Sequence, residues 1–478
     1  MSRINTNVSS LIAQRVLRKN NDSLNTSLER LSTGLKINRG ADDPAGLIAS
    51  ENLRSEKAGI GQAIENAERA SNIIGTAEGG LAEVSSLLNE LQSLVGQAAN
   101  TGGLSKEEIA ANQLQVDSIL GSINRIAGAT AFQGAKLLNG NYAYQTSGVT
   151  ASAFGNLQVN AARLPDGQAQ AIVVQVANSA TQGLVAFTGA TTGTVTIEIA
   201  GNAGTEQLSF ASGTTIASIQ TAVNAISEAT GVTASALGTN LSFKGSNYGA
   251  DQFVSVRAIS GTFAVTGGVS GKDFGSDADV RVNGAKAESN GVDVSYRSST
   301  LDVEFKLSTK VGTVEGLNEG NTKTFGITGG GATFALGSKV TETDKASLGI
   351  ASVSTGSLGT TLNGAGTAEF LSSLASGGPN SLDSGNLVQS QKILDKAVKQ
   401  VSQLRGRLGA FQKFTIGSTV NSLGIALENA SAAESAIRDT DFAEETAKLT
   451  RSQILSQAAT TVLAQANASP QLALSLLQ

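Results

Sequence analysis

The chain has no cysteine and no histidine among its 478 residues, which removes most of the side chains that do chemistry. No Ser-His-Asp or Cys-His nucleophile can be assembled, no thiolate or imidazole can hold a metal, and no disulfide can form. A reaction would have to run on Asp, Glu, Lys, Arg, Ser, Thr, Asn, Gln and Tyr. Four groupings come closest. Gly267-Gly-Val-Ser-Gly271-Lys272 looks like a phosphate loop, but it is one residue short, and Asp273 stands where Ser or Thr would meet magnesium. Asp273, Asp277 and Asp279 could gather a hard cation, yet they lack the EF-hand spacing and its glycine, and they read as a solvated turn. Asp42-Asp43 precede Pro44 and suit the positive end of a helix dipole better than acid–base work. Asn-x-Ser/Thr triplets at Asn7, Asn21, Asn25, Asn240 and Asn467 match a sugar-acceptor pattern, but all except Asn240 fall in predicted helices. Nothing here supports an enzyme, a metal or a cofactor.

The elements that must position these residues divide the chain in three. Composition is rich in Gly (55) and poor in Pro (4) and aromatics (4%), and the net charge of −5 gives no reason to expect nucleic acid or a membrane as partner. No run approaches the ~18–20 apolar residues of a membrane span. Arg3, Asn5, Asn7, Arg15, Arg18 and Lys19 interrupt the N-terminus, unlike a secretory signal. Taken alone, these features favour the cytosol.

Residues 1–140 and 385–478 carry helical spacing. Leu17, Leu24, Leu28, Leu31 and Leu35 stripe a first helix that Arg39-Gly40 breaks. A second helix is predicted from Pro44, pre-set for a first turn. Along it Ile60, Ala67, Ile74, Leu81, Leu88 and Val95 recur every seventh residue, with Ala63, Ala70, Ala77, Val84, Leu91 and Ala98 three residues after each. An unbroken apolar heptad of this length predicts a coiled coil, roughly 80 Å long at 1.5 Å per residue. Its many alanines imply a close partner helix. Ser105 and Glu108 form a capping box for a third helix striped by Ile109, Val116, Ile119, Ile123 and Ile126. In the C-terminal part Leu394, Val401 and Leu408 alternate with Ala397, Leu404 and Phe411, and the phase shifts near Thr415. The last helix, from about Asp441, carries Phe442, Leu449, Leu455, Val462 and Leu463, and Pro470 is expected to end or kink it.

Both ends bear long heptads, and the simplest way to bury both is to pair them. The middle then becomes an insertion at the far tip. The fold class expected is α+β: a long antiparallel coiled-coil bundle from both chain ends, with β-rich domains inserted. Within the middle, Val195 to Ile199 and Leu301, Val303, Phe305 and Leu307 alternate with period two. Ile216, Ile219, Val223 and Ile226 mark one short helix, and Asn283-Gly284 is a hairpin turn. The first and last helices carry much Asn, Ser, Thr and Gln and are expected to be marginal until their stripes are covered.

Several segments resemble bacterial flagellin. At the N-terminal end these are Ile4 to Ser10, Ser27 to Leu35, Asp42-Asp-Pro-Ala-Gly46, Thr76 to Gly79 and Phe132 to Gly140. At the C-terminal end they are Ser431 to Ala447, Leu463 to Asn467 and Leu474 to Leu477. The likeness spans nearly all of 1–140 and 346–478, and 194–260 is similar to the insert modules of flagellins and hook proteins. The resemblance implies a secreted subunit of the extracellular bacterial flagellum filament, self-assembling for motility and exported unfolded through the flagellar type III channel. It implies a core domain from 1–43 and 439–478 and a rod from 44–170 and 346–438, with outer domains over 171–345. Implied partners are other copies of the chain, an export chaperone, and the filament cap and hook-junction proteins.

On that reading Leu17, Leu24, Leu28, Leu31, Leu455, Val462 and Leu463, with Leu474 and Leu477 at the tip, make the assembly contacts. Ile60, Ile74, Leu81, Leu88, Val95, Leu404, Leu408 and Phe411 pack the rod. Receptor-activating flagellins carry basic residues in the segment matching Asn89 to Gly96. Here Glu90 replaces an Arg, and Gln92 and Ser93 beside Asn89 replace a charged pair, which implies weak activation of the vertebrate flagellin receptor. Two other readings stay open: a hook–filament junction protein, and a filament whose outer lobes act as an adhesin. A zinc-protease insert is excluded by the missing histidines.

Overall fold

A computed structural model describes residues 6–100, 103–150, 153–164, 168–188, 193–238, 240–308, 322–362 and 367–475. The helices are α1 (Val8–Thr33), α2 (Pro44–Ala98), α3 (Lys106–Ala129), α4 (Ile216–Ala225), α5 (Ser227–Thr230), α6 (Leu387–Ala410), α7 (Gly417–Arg438) and α8 (Phe442–Ser475). The chain forms two compact units, one from Met1–Arg69, Ala335–Asp344 and Phe414–Gln478, the other from Ala70–Phe334 and Lys345–Lys413. Each unit joins N-terminal to C-terminal helices, as the paired heptads require.

In the first unit α1 runs antiparallel to α8, and the start of α2 runs antiparallel to α7. Lys57 Nζ lies 2.7 Å from Glu434, and Arg438 lies 3.0 Å from Glu51. Gly34 ends α1 in the left-handed region at φ 74°, where a side chain would be strained, and its N–H donates to the Arg30 carbonyl at 2.8 Å. The two connectors then pair: Lys36 N–H donates to Arg438 O at 2.7 Å and Thr440 N–H to Gly34 O at 2.9 Å. The acidic pair before α2 does local work. Asp42 accepts the amides of Arg39 and Asn38 at 2.8 and 3.0 Å, which holds its carboxyl below the usual range. Asp43 accepts the Gly46 N–H at 2.9 Å.

The twelve heptad positions of α2 from Ile60 to Ala98 are all buried. In the second unit α2 lies antiparallel to α6, with Gln92 Nε2 donating to Asp395 at 3.2 Å and Gln412 Nε2 to Ser71 Oγ at 2.8 Å. The capping box of α3 forms with both bonds present. Between α6 and α7, Phe411–Ile416 is a π-helical turn, and this extra residue in the turn is the physical form of the phase shift near Thr415. The described residues of 349–362 and 367–386 are mostly irregular rather than β-rich. Buried Leu371, Leu374 and Leu382 anchor them, and Gln113 donates to Leu374 O at 2.9 Å and accepts from Leu382 N–H at 2.8 Å.

The inserted middle is two nested β modules. In the outer-sequence module a five-stranded sheet includes Gln170–Asn178, Asp279–Val282 and Thr322–Gly329, and a four-stranded sheet includes Phe154–Ala162 and Leu301–Leu307. Both contribute to one core, where the Phe154 ring meets Phe305 and Phe325 edge-on at 5.4 and 5.6 Å. The chain leaves this module after Asn178 and returns at Asp279, its register partner. The excursion builds two further four-stranded sheets, with α4 packed through Ile219 and Val223 onto their core. Asn283 and Gly284, at φ 50° and 85°, make the expected hairpin turn.

Candidate functional site

The acidic and glycine-rich groupings are absorbed by turns. Asp273 accepts the Leu184 amide at 2.8 Å, Asp277 accepts those of Gly291 and Ala250 at 2.7 and 3.0 Å, and Asp279 pairs with Lys286 at 3.7 Å. Among the described residues no group of His, Cys, Asp or Glu is placed to hold a metal. The distinctive surface lies instead on the α1–α8 pair.

That pair meets through small and polar side chains. Ser10, Ala13 and Ser27 of α1 are buried, as are Ala459 and Glu445 of α8. Hydrogen bonds run the length of the seam in antiparallel order. Asn7 Nδ2 donates to Ala466 O at 2.7 Å and Ser10 Oγ to Asn467 Oδ1 at 2.7 Å. Further along, Asn20 Nδ2 donates to Leu455 O at 3.1 Å and Ser456 Oγ to Asn21 Oδ1 at 2.8 Å. At the far end buried Glu445 lies 3.7 Å from Arg30 and 3.6 Å from Lys448. The hydrogen bond from Lys448 to Glu444 raises the lysine's pKa, with Glu445 adding to it.

Large apolar side chains face away from this seam. Val8, Leu11, Ile12, Val16 and Leu28 of α1 are exposed, as are Phe442, Ile454, Leu455 and Val462 of α8. Of the expected assembly residues, Leu28 (47%), Leu455 (47%) and Val462 (59%) are open to solvent, and Leu17, Leu24, Leu31 and Leu463 are half-buried. Leu474 lies in α8, and Leu477 lies outside the described residues. The rod residues Ile60, Ile74, Leu81, Leu88, Val95, Leu404 and Leu408 are buried. Phe411 is half-buried, its ring 6.0 Å from that of Phe334. On α2, Asn89, Glu90 and Ser93 are exposed, and Gln92 is engaged with Asp395. Sequence reasoning missed Val8, Leu11, Ile12 and Val16. Their signal is the step of four through 8, 12 and 16, which a count anchored on leucines passes over.

Comparison with known proteins bears on the same termini. The bacterial flagellin N-terminal helical region matches residues 4–143, the C-terminal helical region matches 391–477, and the flagellin hook IN motif matches 194–247. Polar flagellin F of Vibrio parahaemolyticus is 30% identical over 476 residues, covering 99% of each chain. Flagellin B of Vibrio cholerae is 31% identical over 474 residues, again 99% of each. Flagellin B of Helicobacter pylori is 27% identical and covers 100% of this chain and 99% of its own. Among the described residues no helix is long and apolar enough to cross a membrane.

Proposed function

We propose, from the premise that the chain belongs to the bacterial flagellin family and is a structural subunit of the flagellar filament, that the filament grows as copies bury the apolar face that α1 and α8 leave open. The observation carrying this reading is the inverted burial of that pair. Its intrachain seam is small and polar, while Val8, Leu11, Ile12, Val16, Leu28, Ile454, Leu455 and Val462 face solvent. Fully burying one such side chain contributes about 1.5–3 kcal/mol. From their half-exposed state the set supplies on the order of 10 kcal/mol, comparable with the ~4–15 kcal/mol lost on association. Contacts between unlike faces that do not close into a ring give an open helical polymer.

The assembly residues are Leu17, Leu24, Leu28, Leu31, Leu455, Val462, Leu463, Leu474 and Leu477, joined by the α1 face just described. Core, rod and outer domains are taken as 1–43 with 439–478, 44–170 with 346–438, and 171–345, with the strand Phe154–Ala162 of the 44–170 segment packing into the outer module's core. The role is mechanical, serving swimming outside the cell, with no catalytic step. Export proceeds as an unfolded chain through the flagellar secretion channel, and the missing cysteines mean that no disulfide needs reduction first. An export chaperone covers the apolar face of α8 before assembly, and cap and hook-junction proteins meet the same helices. The acidic Glu90, exposed between Asn89 and the Gln92–Ser93 pair, disfavours a receptor that selects basic residues there. A reporter-cell assay with monomer tests this, and full activation contradicts it.

Charging Ile12 or Val462 tests the assembly reading, because both side chains point away from the seam. Ile12→Asp and Val462→Asp are expected to give only monomers by electron microscopy, with the β modules still folded by near-UV circular dichroism. Filaments of ordinary length from both variants would refute it.

A further inference from the structure

Pro470 lies inside α8, which continues to Ser475 rather than ending or breaking there. A proline within a helix has no N–H to donate to the carbonyl four residues earlier. That residue is Ala466, so its carbonyl loses the regular i+4 donor. The carbonyl does have another partner: Asn7 Nδ2 donates to Ala466 O at 2.7 Å, shorter than the bond from Asn20 Nδ2 to Leu455 O further along this seam. The other end of the same amide is also engaged, since Asn7 Oδ1 accepts the Ser10 N–H at 3.0 Å as the N-cap of α1. One half-buried side chain therefore satisfies an orphan donor at the start of one helix and an orphan acceptor near the end of the other.

We infer that Asn7 is a positioning residue that carries α8 through Pro470, so that the start of α1 and the end of α8 become ordered as one cooperative event. Neither half of the exchange is complete alone. Without Asn7 the last turns of α8 hold a carbonyl with no donor; without α8 the Asn7 amide has only its capping bond. The proline makes this dependence specific, because any other residue at 470 would supply the N–H from within α8 and leave Asn7 as an ordinary cap. Ser10 Oγ to Asn467 Oδ1, also 2.7 Å, sits one residue further along α8 and restores no missing backbone bond. It strengthens the seam without depending on the proline. The inference rests on intrachain geometry and goes beyond the assembly reading.

The test is a double-mutant cycle on the full chain: wild type, Asn7→Ser, Pro470→Ala and the pair. Serine keeps the capping acceptor and removes the Nδ2 amide that reaches the Ala466 carbonyl, and alanine restores the intrahelical N–H. The readout is amide exchange protection over 467–475, measured in assembled protein and in monomer. One intramolecular hydrogen bond contributes about 0.5–1.5 kcal/mol. Asn7→Ser should therefore lower protection by roughly 3- to 10-fold in the Pro470 background and by less than about 2-fold beside Pro470→Ala. Asn467→Ala should act alike in both backgrounds. Equal effects of Asn7→Ser with and without the proline, or no effect in either, would overturn the inference. Failure of the wild type to polymerise would count against the assembly reading only, and the cycle is then read in the monomer, where absent wild-type protection of 467–475 would itself overturn the clasp.

Discussion

Two long helical seams in this protein look alike in sequence and bury opposite things. Along α2 every heptad position from Ile60 to Ala98 is buried within the chain. Along the α1–α8 pair the buried side chains among the described residues are Ser10, Ala13, Ser27, Glu445 and Ala459, while valines, leucines and isoleucines stay outside. An apolar stripe states that something must cover it, and the residues opposite decide whether the cover comes from the same chain. Alanines in α2 allow partner helices to approach and close the core. Asn, Ser and Glu between α1 and α8 fix an antiparallel register at little net stabilisation, because each hydrogen bond replaces one with water. The first seam is a finished core. The second is half of one.

The difference can be broken at either seam. Ile12→Asp has the largest expected effect, complete loss of filaments with thermal unfolding of the monomer unchanged; a normal critical concentration would oppose it. Leu88→Ala in α2 should do the reverse. It removes a fully buried leucine and should cost about 2–5 kcal/mol in monomer stability, read as a lower denaturant midpoint. Ser105→Ala deletes the cap of α3 and should cost about 1 kcal/mol by the same measurement. Separating Lys57 from Glu434 by Glu434→Gln should cost about 0.2–1 kcal/mol, since both groups retain access to water.

A pH series sharpens the contrast at the smallest scale. The backbone hydrogen bond from Ser105 holds the Glu108 carboxyl below its ordinary 4.5. Its stabilising contribution is therefore complete above that value and is lost as pH falls through the lower folded value. Wild type and Glu108→Gln should differ slightly in unfolding midpoint at neutral pH and converge in acid. A difference that grows on acidification would contradict the assignment.

Much of this was legible because local rules and tertiary packing agree in the helices. The heptad of α2, the box at Ser105 and Glu108, the turn at Asn283-Gly284 and the phase shift at Thr415 each have one structural form, and each is found. The β modules were readable as strands but not as sheets: period two tells which face of Val195, Ile197 and Ile199 is buried, and nothing in it says that 178 and 279 are neighbours. The α1 face was missed because Leu17, Leu24 and Leu31 drew the stripe seven residues apart, whereas Val8, Ile12 and Val16 lie on another face. Pro470 does not end α8, for a related reason. The donor that lets α8 continue is Asn7, which is distant in sequence and whose triplet reads locally only as a sugar-acceptor pattern.

The central claim is that the α1–α8 pair is completed only by other copies of the chain, and hydrogen exchange tests it most directly. Amides of 8–33 and 442–475 should be only weakly protected in monomer, well below those of α2 from Ile60 to Ala98, and become strongly protected in filaments, while those of α2 should be protected in both. Equal protection of α1, α8 and α2 in the monomer would contradict it.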